Sequence, residues 1–436
     1  MIGRPWPGLV VSVLCALVLC TLSLAPASAR AAWSRPFELS PPGTLDRLPV
    51  QIAIAASGAA AAAFSTLDVD TPGSAQAYVV TGRPGRVGAA RAIPGSREVL
   101  ALTDTAQGPA LLTGSSPSGL DCCSAVSAGR VGAGGALTSS QILLGGLTGA
   151  TQGRLVALAH GRMLAAIATE GGVWAAQSGP GGRFANPRRL TGRDEAAQAL
   201  SAAALDGENA VLAWTAASGP AGYADPRAIF YARASHRSPP RAAQTLLRAP
   251  AGHRIDELAV AGRATRATAA WIDQSFDRRG AEHTQVRAAD FAAHPSVRGF
   301  PAGDGLSTGL SLGSDPAGAQ ALVYTTCRAE GGCTVRVTTR SPASAFRAVS
   351  ALGAIDAGQT PALSVSPRGR VIVGWIRGGH PVAAVGSAAS GRFGAPGSLS
   401  PTVYAYDITI ADSAHGAIAA WTQGTLNPSV VAAADR

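Results

Sequence analysis

Histidine is the residue of this chain best suited to acid–base or metal chemistry, and the chain has seven of them. They are isolated in sequence, and four lie in informative surroundings: His160, His236, His253 and His415. No H-E-x-x-H, G-x-S-x-G or P-loop motif is present. His160 and His415 fall at turns between strands, where a polar residue is the default. No catalytic residue is therefore predicted, although repeated units can bring distant residues together on one face.

Metal-binding patterns are weak. Asp68 and Asp70 precede the turn Thr71–Gly73 and offer oxygens to Ca²⁺, but the spacing of a complete calcium loop is missing. Solvated turn carboxylates explain these residues better. We predict neither a metal nor an organic cofactor.

The N-terminus has the features of a secretory signal peptide. Arg4 is the only charge before the apolar run Leu9–Leu24, and the small residues Ala27–Ala29 follow. Cleavage after Ala29 makes residues 1–29 the signal and residues 30–436 the exported domain. An uncleaved anchor is the alternative. No later stretch is long and apolar enough to span a bilayer, so we expect no transmembrane segment after cleavage.

Four cysteines remain after that cleavage. Cys327 and Cys333 flank a turn between two strand-like runs, so they can face each other across a hairpin. Export favours disulfides, and we predict a bridge between these two. Cys122 and Cys123 are adjacent; they either close a strained ring or pair elsewhere. A four-cysteine zinc site lacks the usual C-x-x-C spacing.

Two residue types suggest ligand binding without a specific motif. Four tryptophans at one repeated position are candidate sugar platforms, although the apolar flanks favour core packing: Trp214, Trp271, Trp375 and Trp421. Trp174 lies off that position and is the better platform candidate. All 36 basic residues are arginine and the formal net charge is +10, which favours polyanions.

The arginines are scattered, and the densest basic stretch comprises Arg233, His236, Arg237, Arg241, Arg248 and Arg254. Anionic wall polymers or nucleic acid are candidate partners for it. It lacks the interleaved aromatics of a single-strand binder, so we expect no nucleic-acid partner. A solvated loop face is the simpler interpretation.

A strand–turn–strand unit positions these residues. It is clearest at Leu363–Trp375, Thr409–Trp421 and Ala202–Trp214, where two apolar strands flank a short polar turn. Hydrophobic residues make up 47% of the chain and charged residues 14%, which excludes a disordered protein. The 53 glycines and 29 prolines indicate short elements and many turns, and hence an all-β fold.

The unit recurs eight times. Taking the last residue of each second strand as an anchor gives Phe64, Gly114, Ile167, Trp214, Trp271, Tyr324, Trp375 and Trp421, spaced 46 to 57 residues apart. About fifty residues is the length of one blade in the longer propeller repeats. The pattern predicts an eight-bladed β-propeller of four-stranded antiparallel blades. Seven blades is the alternative, if the second or third unit is an insertion.

A second recurring sequence pattern predicts how the ring closes. Short segments after each third strand are expected to begin the outer strand: Pro84–Val87, Gly129–Val131, Gly182–Phe184, Ser344–Phe346 and Gly391–Phe393. The last unit has three strands and stops at Arg436, whereas Trp33–Pro41 is similar to the segment that begins with Gly391–Phe393. We therefore expect the N-terminal segment to supply the outer strand of the last blade, which leaves no long unpaired edge.

This repeat resembles the secreted β-propellers of the sialidase-like, or BNR-like, superfamily. The resemblance covers nearly the whole exported chain and implies four-stranded blades around a channel. It carries over no functional residue. Ser314–Gly318 has its aspartate one place early for an Asp-box and lacks the tryptophan, and Arg91–Pro94 has one residue too many for the Arg-Ile-Pro motif. Sialidase chemistry is therefore disfavoured.

The predicted function is a binding or interaction module, secreted or associated with the cell envelope. A large rigid ring with variable loops and no catalytic motif is typical of this role. Its ligand is unknown; a cell-surface glycan or protein is the candidate. A glycoside hydrolase or lyase acting on polysaccharide is the alternative, with carboxylates from different blades meeting at the channel mouth. A purely structural envelope protein is the third hypothesis.

Overall fold

The strands of the computed structural model form eight separate antiparallel sheets. The structure describes residues 33–40, 45–46, 50–67, 75–115, 123–132, 135–146, 149–192, 195, 197–217, 226–263, 265–301, 305–342, 344–401, 403–424 and 429–435. Within these ranges it has 34 strands and a 3-10 turn at Ala159–Gly161. The prediction of an all-β fold is confirmed.

The first four blades follow each other along the chain, after the short strands β1 (Phe37–Glu38) and β2 (Leu45–Asp46). Blade 1 contains β3 (Gln51–Ile54), β4 (Ala60–Leu67), β5 (Gln76–Arg83), β6 (Arg86–Val87) and β7 (Arg91–Ala92), and β2 joins the same sheet by pairing with β4. Blade 2 contains β8 (Glu98–Thr105), β9 (Gly108–Ser115), β10 (Ala125–Val131) and β11 (Leu137–Gly145). Blade 3 contains β12 (Ala150–Ala157), β13 (Met163–Thr169), β14 (Gly172–Gln177) and β15 (Arg188–Arg189). Blade 4 contains β16 (Ala197–Ala204), β17 (Asn209–Ala216), β18 (Ala228–Ser235) and β19 (Gln244–Arg248).

The remaining blades repeat this order of four strands. Blade 5 contains β20 (His253–Arg263), β21 (Arg266–Phe276), β22 (Glu282–Asp290) and β23 (Val297–Phe300). Blade 6 contains β24 (Gly305–Ser314), β25 (Gln320–Arg328), β26 (Cys333–Arg340) and β27 (Ser350–Ile355). Blade 7 contains β28 (Ala362–Val365), β29 (Arg370–Arg377), β30 (His380–Ser387) and β31 (Gly397–Ser398). Blade 8 contains β32 (Ala405–Ser413), β33 (Gly416–Gln423), β34 (Ser429–Ala434) and, at its outer edge, β1.

The blades form a closed ring around a channel. Each first strand, from β3 to β32, contacts the first strand of the next blade, and β32 contacts β3. The outer position of blade 8 is filled from the other end of the chain, where Phe37 pairs with Ala432 and Glu38 with Val431. The predicted closure by the N-terminal segment is therefore confirmed, as is the count of eight blades.

The repeated aromatic anchors form the cores between blades. Trp214, Tyr324, Trp375 and Trp421 are fully buried, and each lies in an apolar cluster that it shares with the preceding blade. Trp271 and Phe64 have the same role at the junctions before blades 5 and 1. Most of their neighbours are alanine and valine, small side chains that let adjacent sheets pack closely. The interpretation of the tryptophans as core residues is correct.

Two details of the predicted repeat are wrong. The anchors are not the last residues of the second strands, which continue for one to five residues beyond them. Gly129–Val131 does not begin an outer strand; it is the end of the third strand β10, and the outer strand is β11. The error arose because the G-R-V pattern of Gly129–Val131 is the same whether the strand is ending or beginning. Of the other segments, Phe184 bridges to Ser178, just after β14, and Phe393 bridges to Gly386 of β30, whereas the outer strand β27 begins four residues after Phe346.

The predicted disulfide is present. Cys327 and Cys333 are paired residues of β25 and β26, with Cα atoms 4.0 Å apart, and they are joined by a disulfide bond. Cys123 is buried beside Glu98, and Cys122 lies outside the described residues, so the pairing of these two stays a prediction.

Candidate functional site

The antiparallel order of the blades gives the ring two distinct faces. We call the face where the first strands begin the upper face; it carries the connections between second and third strands and those that enter each blade. The lower face carries the turns between first and second strands and those between third and outer strands. Loops at the ends of rigid strands are the usual place for binding residues, so converging polar side chains on either face are candidate sites.

Blade 5 extends furthest on the upper face. β20 and β21 each have 11 residues, more than any other described strand, and β21 continues with β22 as a long hairpin. The tip of this hairpin exposes Phe276 to 55% and ends in a turn in which the Asp277 carboxylate accepts hydrogen bonds from the backbone amides of Arg279 and Ala281. We refer to residues 253–256 and 273–287 as the blade 5 extension.

A buried carboxylate orders a histidine and an arginine on one side of this extension. Asp273 is 5% exposed, and its Oδ1 lies 2.9 Å from Nδ1 of His253. Its Oδ2 lies 2.8 Å from Nε of Arg287. Asp273 pairs with Ile255 of β20 and Gln285 of β22, and His253 and Arg287 are each two residues along the strand from those partners, so the three side chains share one side of the sheet. Asp273 therefore fixes the orientation of a histidine whose Nε2 points away from it.

The opposite side of the extension carries a second polar row. The guanidinium of Arg254 donates to Oε1 of Gln274, and the Gln274 amide donates to Oε1 of Glu282. Gln274 is buried, whereas Glu282 is exposed. Both sides of the hairpin therefore carry polar side chains.

Two acidic residues on the upper half of the ring lie at bulges in first strands and have strained backbone angles. Glu257 (φ 27°) and Asp407 (φ 53°) interrupt the pairing of β20 and β32 with their second strands. Such conformations are uncommon for non-glycine residues and persist only where surrounding contacts hold them. Burial raises the pKa of both carboxyl groups.

Hydrogen bonds to a neighbouring blade or to the segment that enters it hold both bulge residues. The Glu257 carboxylate accepts the backbone N–H groups of Gly309 and Leu310 in blade 6, and these bonds oppose the effect of burial on its pKa. Gln359 accepts the N–H of Asp407 in the same way, 3.2 Å away. Glu257 therefore joins two blades and is not a free acid, which argues against a pair of free catalytic carboxylates at this point.

The histidines singled out in the sequence have different surroundings. His253 lies on Asp273, and Nε2 of His415 lies 2.7 Å from the carbonyl oxygen of Ala56, where it joins blades 8 and 1. His160 and His236 come together on the lower face, with ring centroids 5.5 Å apart. Spatial convergence, which the sequence left open, therefore occurs at two places.

Other candidates are not supported as sites. Trp174 is half-buried against the core between blades 2 and 3, with Arg189 over its ring. Arg233 and Arg254, from the densest basic stretch, lie at opposite ends of the strands of blades 4 and 5, so the stretch does not form one surface. Asp68 and Asp70 lie outside the described residues.

Sequence reasoning missed Asp273 and Glu257. Asp273 follows the anchor Trp271 by two residues, and an acidic residue in an otherwise apolar second strand is a usable signal of a paired buried charge. Nothing in the local sequence marks Glu257 as a bulge residue.

Comparisons with known proteins give similarity at the level of the fold. No protein-family model and no curated protein matches the chain. A protein of unknown function from Dyadobacter fermentans is 10% identical, with 92% of this chain and 98% of that chain covered and a TM-score of 0.46. The α-L-arabinanase of Penicillium chrysogenum is 9% identical, with 93% and 98% covered and a TM-score of 0.46. The sialidase of Trypanosoma rangeli is 8% identical, with 70% and 56% covered and a TM-score of 0.39.

The predicted resemblance to sialidase-like propellers is one of fold, which the eight blades themselves show, and the similar structures carry no activity or residue to this chain. In the part of the chain that the structure describes, no helix has the length and apolar character needed to cross a bilayer.

Proposed function

We propose that this chain is an exported binding protein that holds an acidic polysaccharide on its upper face, at the blade 5 extension. The observation that carries the proposal is the buried Asp273, which orders His253 and Arg287 on one side of an extension whose tip exposes Phe276. Guanidinium groups match carboxylates and sulfates of acidic sugars. An exposed aromatic ring gives a sugar an apolar surface on which to pack.

Charge and compartment support the same proposal. The net charge of +10 attracts polyanions, and the hairpin tip adds the exposed Arg278 and Arg279. The disulfide between Cys327 and Cys333 fits an oxidising, extracytoplasmic environment. That setting agrees with the predicted signal peptide, and wall or matrix polysaccharides occur there.

The test is binding of fluorescent polygalacturonate, with neutral dextran as the comparison. We expect binding of polygalacturonate alone, weakening as salt is raised because the contacts are ionic. Arg278→Ser with Arg279→Ser should lower affinity about tenfold, equivalent to about 1.4 kcal/mol. The control is Arg183→Ser with Arg241→Ser, which removes the same charge from exposed positions of the lower face. Equal losses in both double variants would show only general charge attraction and contradict the proposal.

Cleavage of the polymer is the second candidate, favoured by the His253–Asp273 contact. In an elimination, His253 Nε2 would take the proton beside the uronate carboxylate, that electron pair would form the ring double bond, and the glycosidic oxygen would leave with a proton from water. Unsaturated sugar ends released by the protein and abolished in His253→Ala would establish this activity. Polymer binding without such ends would leave the binding function alone.

A further inference from the structure

Three side chains suited to a metal ion meet on the lower face, between blades 3 and 4. His160 lies on the 3-10 turn between β12 and β13, Glu208 in the turn between β16 and β17, and His236 just after β18. One nitrogen or carboxylate oxygen from each lies within 4.8 Å of the others. The three residues come from separate turns, so no sequence motif identifies the cluster.

Backbone hydrogen bonds hold these turns together. The amide of Ala159 donates to the carbonyl of Gly207 at 2.5 Å, and the amide of His236 donates to the carbonyl of Glu208 at 2.6 Å. Asp206 caps the same turn by accepting the amide of Glu208 at 3.0 Å. His160 has left-handed backbone (φ 60°, ψ 30°). Side chains carried on such fixed turns are positioned before any ligand arrives.

The Nδ1 atom of His236 has the position expected of a metal ligand. It is buried and has no hydrogen-bond partner among the described residues. It lies 3.6 Å from Oε2 of Glu208, which is too long for a hydrogen bond. Two ligands of one tetrahedral Zn²⁺, each about 2.1 Å from the ion, lie about 3.4 Å apart. The Glu208 side chain is 57% exposed, so it is free to move by the small distance that is needed.

We propose that His160, Glu208 and His236 bind a divalent transition-metal ion of the zinc type, which joins blades 3 and 4 on the lower face. Two imidazoles and one carboxylate suit Zn²⁺, whereas Ca²⁺ and Mg²⁺ require a shell of oxygen ligands. Water completes the coordination, because the site is open to solvent on the side of His160 and Glu208. This proposal is independent of the polysaccharide site on the upper face.

Arg237 competes with the ion. Its Nε lies 3.1 Å from Nε2 of His236 and donates to it, which leaves the ring proton on Nδ1. When an ion binds Nδ1, that proton is lost, Nε2 takes up a proton from solvent, and Arg237 must turn away. Removing Arg237 should therefore strengthen metal binding, which a simple ion-pair cluster would not show.

The test is a Zn²⁺ titration of the untagged propeller, residues 30–436, after treatment with a chelator. We expect one equivalent to bind, and His160→Ala, Glu208→Gln and His236→Ala each to weaken binding at least tenfold. His294→Ala removes an exposed histidine elsewhere on the lower face and should change nothing. Arg237→Ala should tighten binding several-fold. Equal binding by wild type and by the His160→Ala/His236→Ala double variant would overturn the proposal.

A second measurement separates loss of a ligand from loss of folding. Zn²⁺ should raise the Tm of the wild type, because an ion that binds only the folded state stabilises it. It should not raise the Tm of Glu208→Gln, whose exposed, isosteric change leaves the fold intact. In crystals soaked with Zn²⁺, an anomalous peak between the three side chains supports the site, and peaks only at other positions contradict it.

Discussion

Arg370 holds two buried carboxylates at the junction of blades 7 and 8. Its Nε lies 2.9 Å from Asp412 and its Nη1 lies 2.5 Å from Asp435, and these carboxylates are 0% and 4% exposed. Arg370→Met would leave both charges buried without a partner, so we expect the free energy of unfolding to fall by about 3 kcal/mol. Urea denaturation of the purified chain measures this.

The matched control is Arg377→Met, at the other end of the same strand, where the side chain is exposed. It should change stability by less than about 0.5 kcal/mol. If the two variants are equally stable, Arg370 does not compensate the buried charges as described.

The carboxyl group of Asp104 should make the stability of the fold depend on pH in a predictable direction. Burial raises the pKa of its carboxyl group to about 6, above the ordinary value for aspartate, and its Oδ1 is buried without a hydrogen-bond partner in the described structure. The folded state therefore holds the proton more tightly than the unfolded state, and stability falls as pH rises from about 4 through 6. Asp104→Asn removes the charge.

We expect Asp104→Asn to be more stable than the wild type at pH 7.5. The gain should be about 1 kcal/mol, because the side chain is only half-buried and solvent reduces the full effect of the pKa shift. Below pH 4 the difference should vanish. Thermal unfolding across this pH range measures it, and a variant that is less stable at pH 7.5 would show that the carboxylate has a partner in solution.

At the scale of single residues, the sequence could name candidates but could not join them. His253 and Asp273 are neighbours only because β20 and β21 pair in one particular register. His160 and His236 meet only because blades 3 and 4 are adjacent in the ring. Contacts of this kind depend on tertiary structure, and the sequence around each histidine does not show which distant residue will lie beside it.

The positions of the strands could be predicted from the sequence, whereas the bulges within them could not. Alternating apolar residues around a short turn identified pairs such as β28–β29 and β32–β33. The bulge at Glu257 was not predictable, because a bulge changes backbone angles without changing the apolar pattern. The candidate site depends on such irregular positions and on the extra length of β21, and was therefore only partly foreseen.

The disulfide makes a prediction for one element, the β25–β26 hairpin. Cys327 and Cys333 close a loop with a sequence separation of six. Replacing both by alanine should lower the free energy of unfolding by about 2 kcal/mol, the loop-entropy value for so short a loop. Hydrogen exchange should rise in this hairpin and not in β29–β30, the hairpin of the neighbouring blade. Unchanged exchange in β25–β26 would mean that strand pairing alone holds the hairpin.

For the whole molecule, a regular spacing was enough to predict the architecture. Eight anchors at about fifty-residue intervals imply eight similar sheets, and each aromatic anchor fills the gap to the preceding blade. The order of the sheets then follows from chain connectivity alone. Only the closing contact needed separate reasoning, from the similarity of Trp33–Pro41 to the segment after the third strand of blade 7.

That closing contact can be tested by removing it. Hydrogen bonds join the segment Ser34–Ser40 to β34. The N–H groups of Ser34 and Leu39 donate to the carbonyl oxygens of Ala434 and Val430, respectively. In return, the N–H groups of Ala434 and Val430 donate to the hydroxyls of Ser34 and Ser40. Deleting residues 30–40 should cost about 4 kcal/mol in the free energy of unfolding, from several lost backbone hydrogen bonds and the burial of Leu39. It also exposes the edge of β34, which should promote self-association.

Urea denaturation and light scattering after gel filtration measure both effects. The full propeller with Arg35→Ala and Glu38→Ala is the control, because these exposed side chains leave the strand pairing intact. It should remain as stable and in the same association state as the wild type, while the truncated chain is less stable and self-associates. A truncated chain that matches the control in both measurements would show that the first and last blades hold together through their first strands and shared core, without the N-terminal strand.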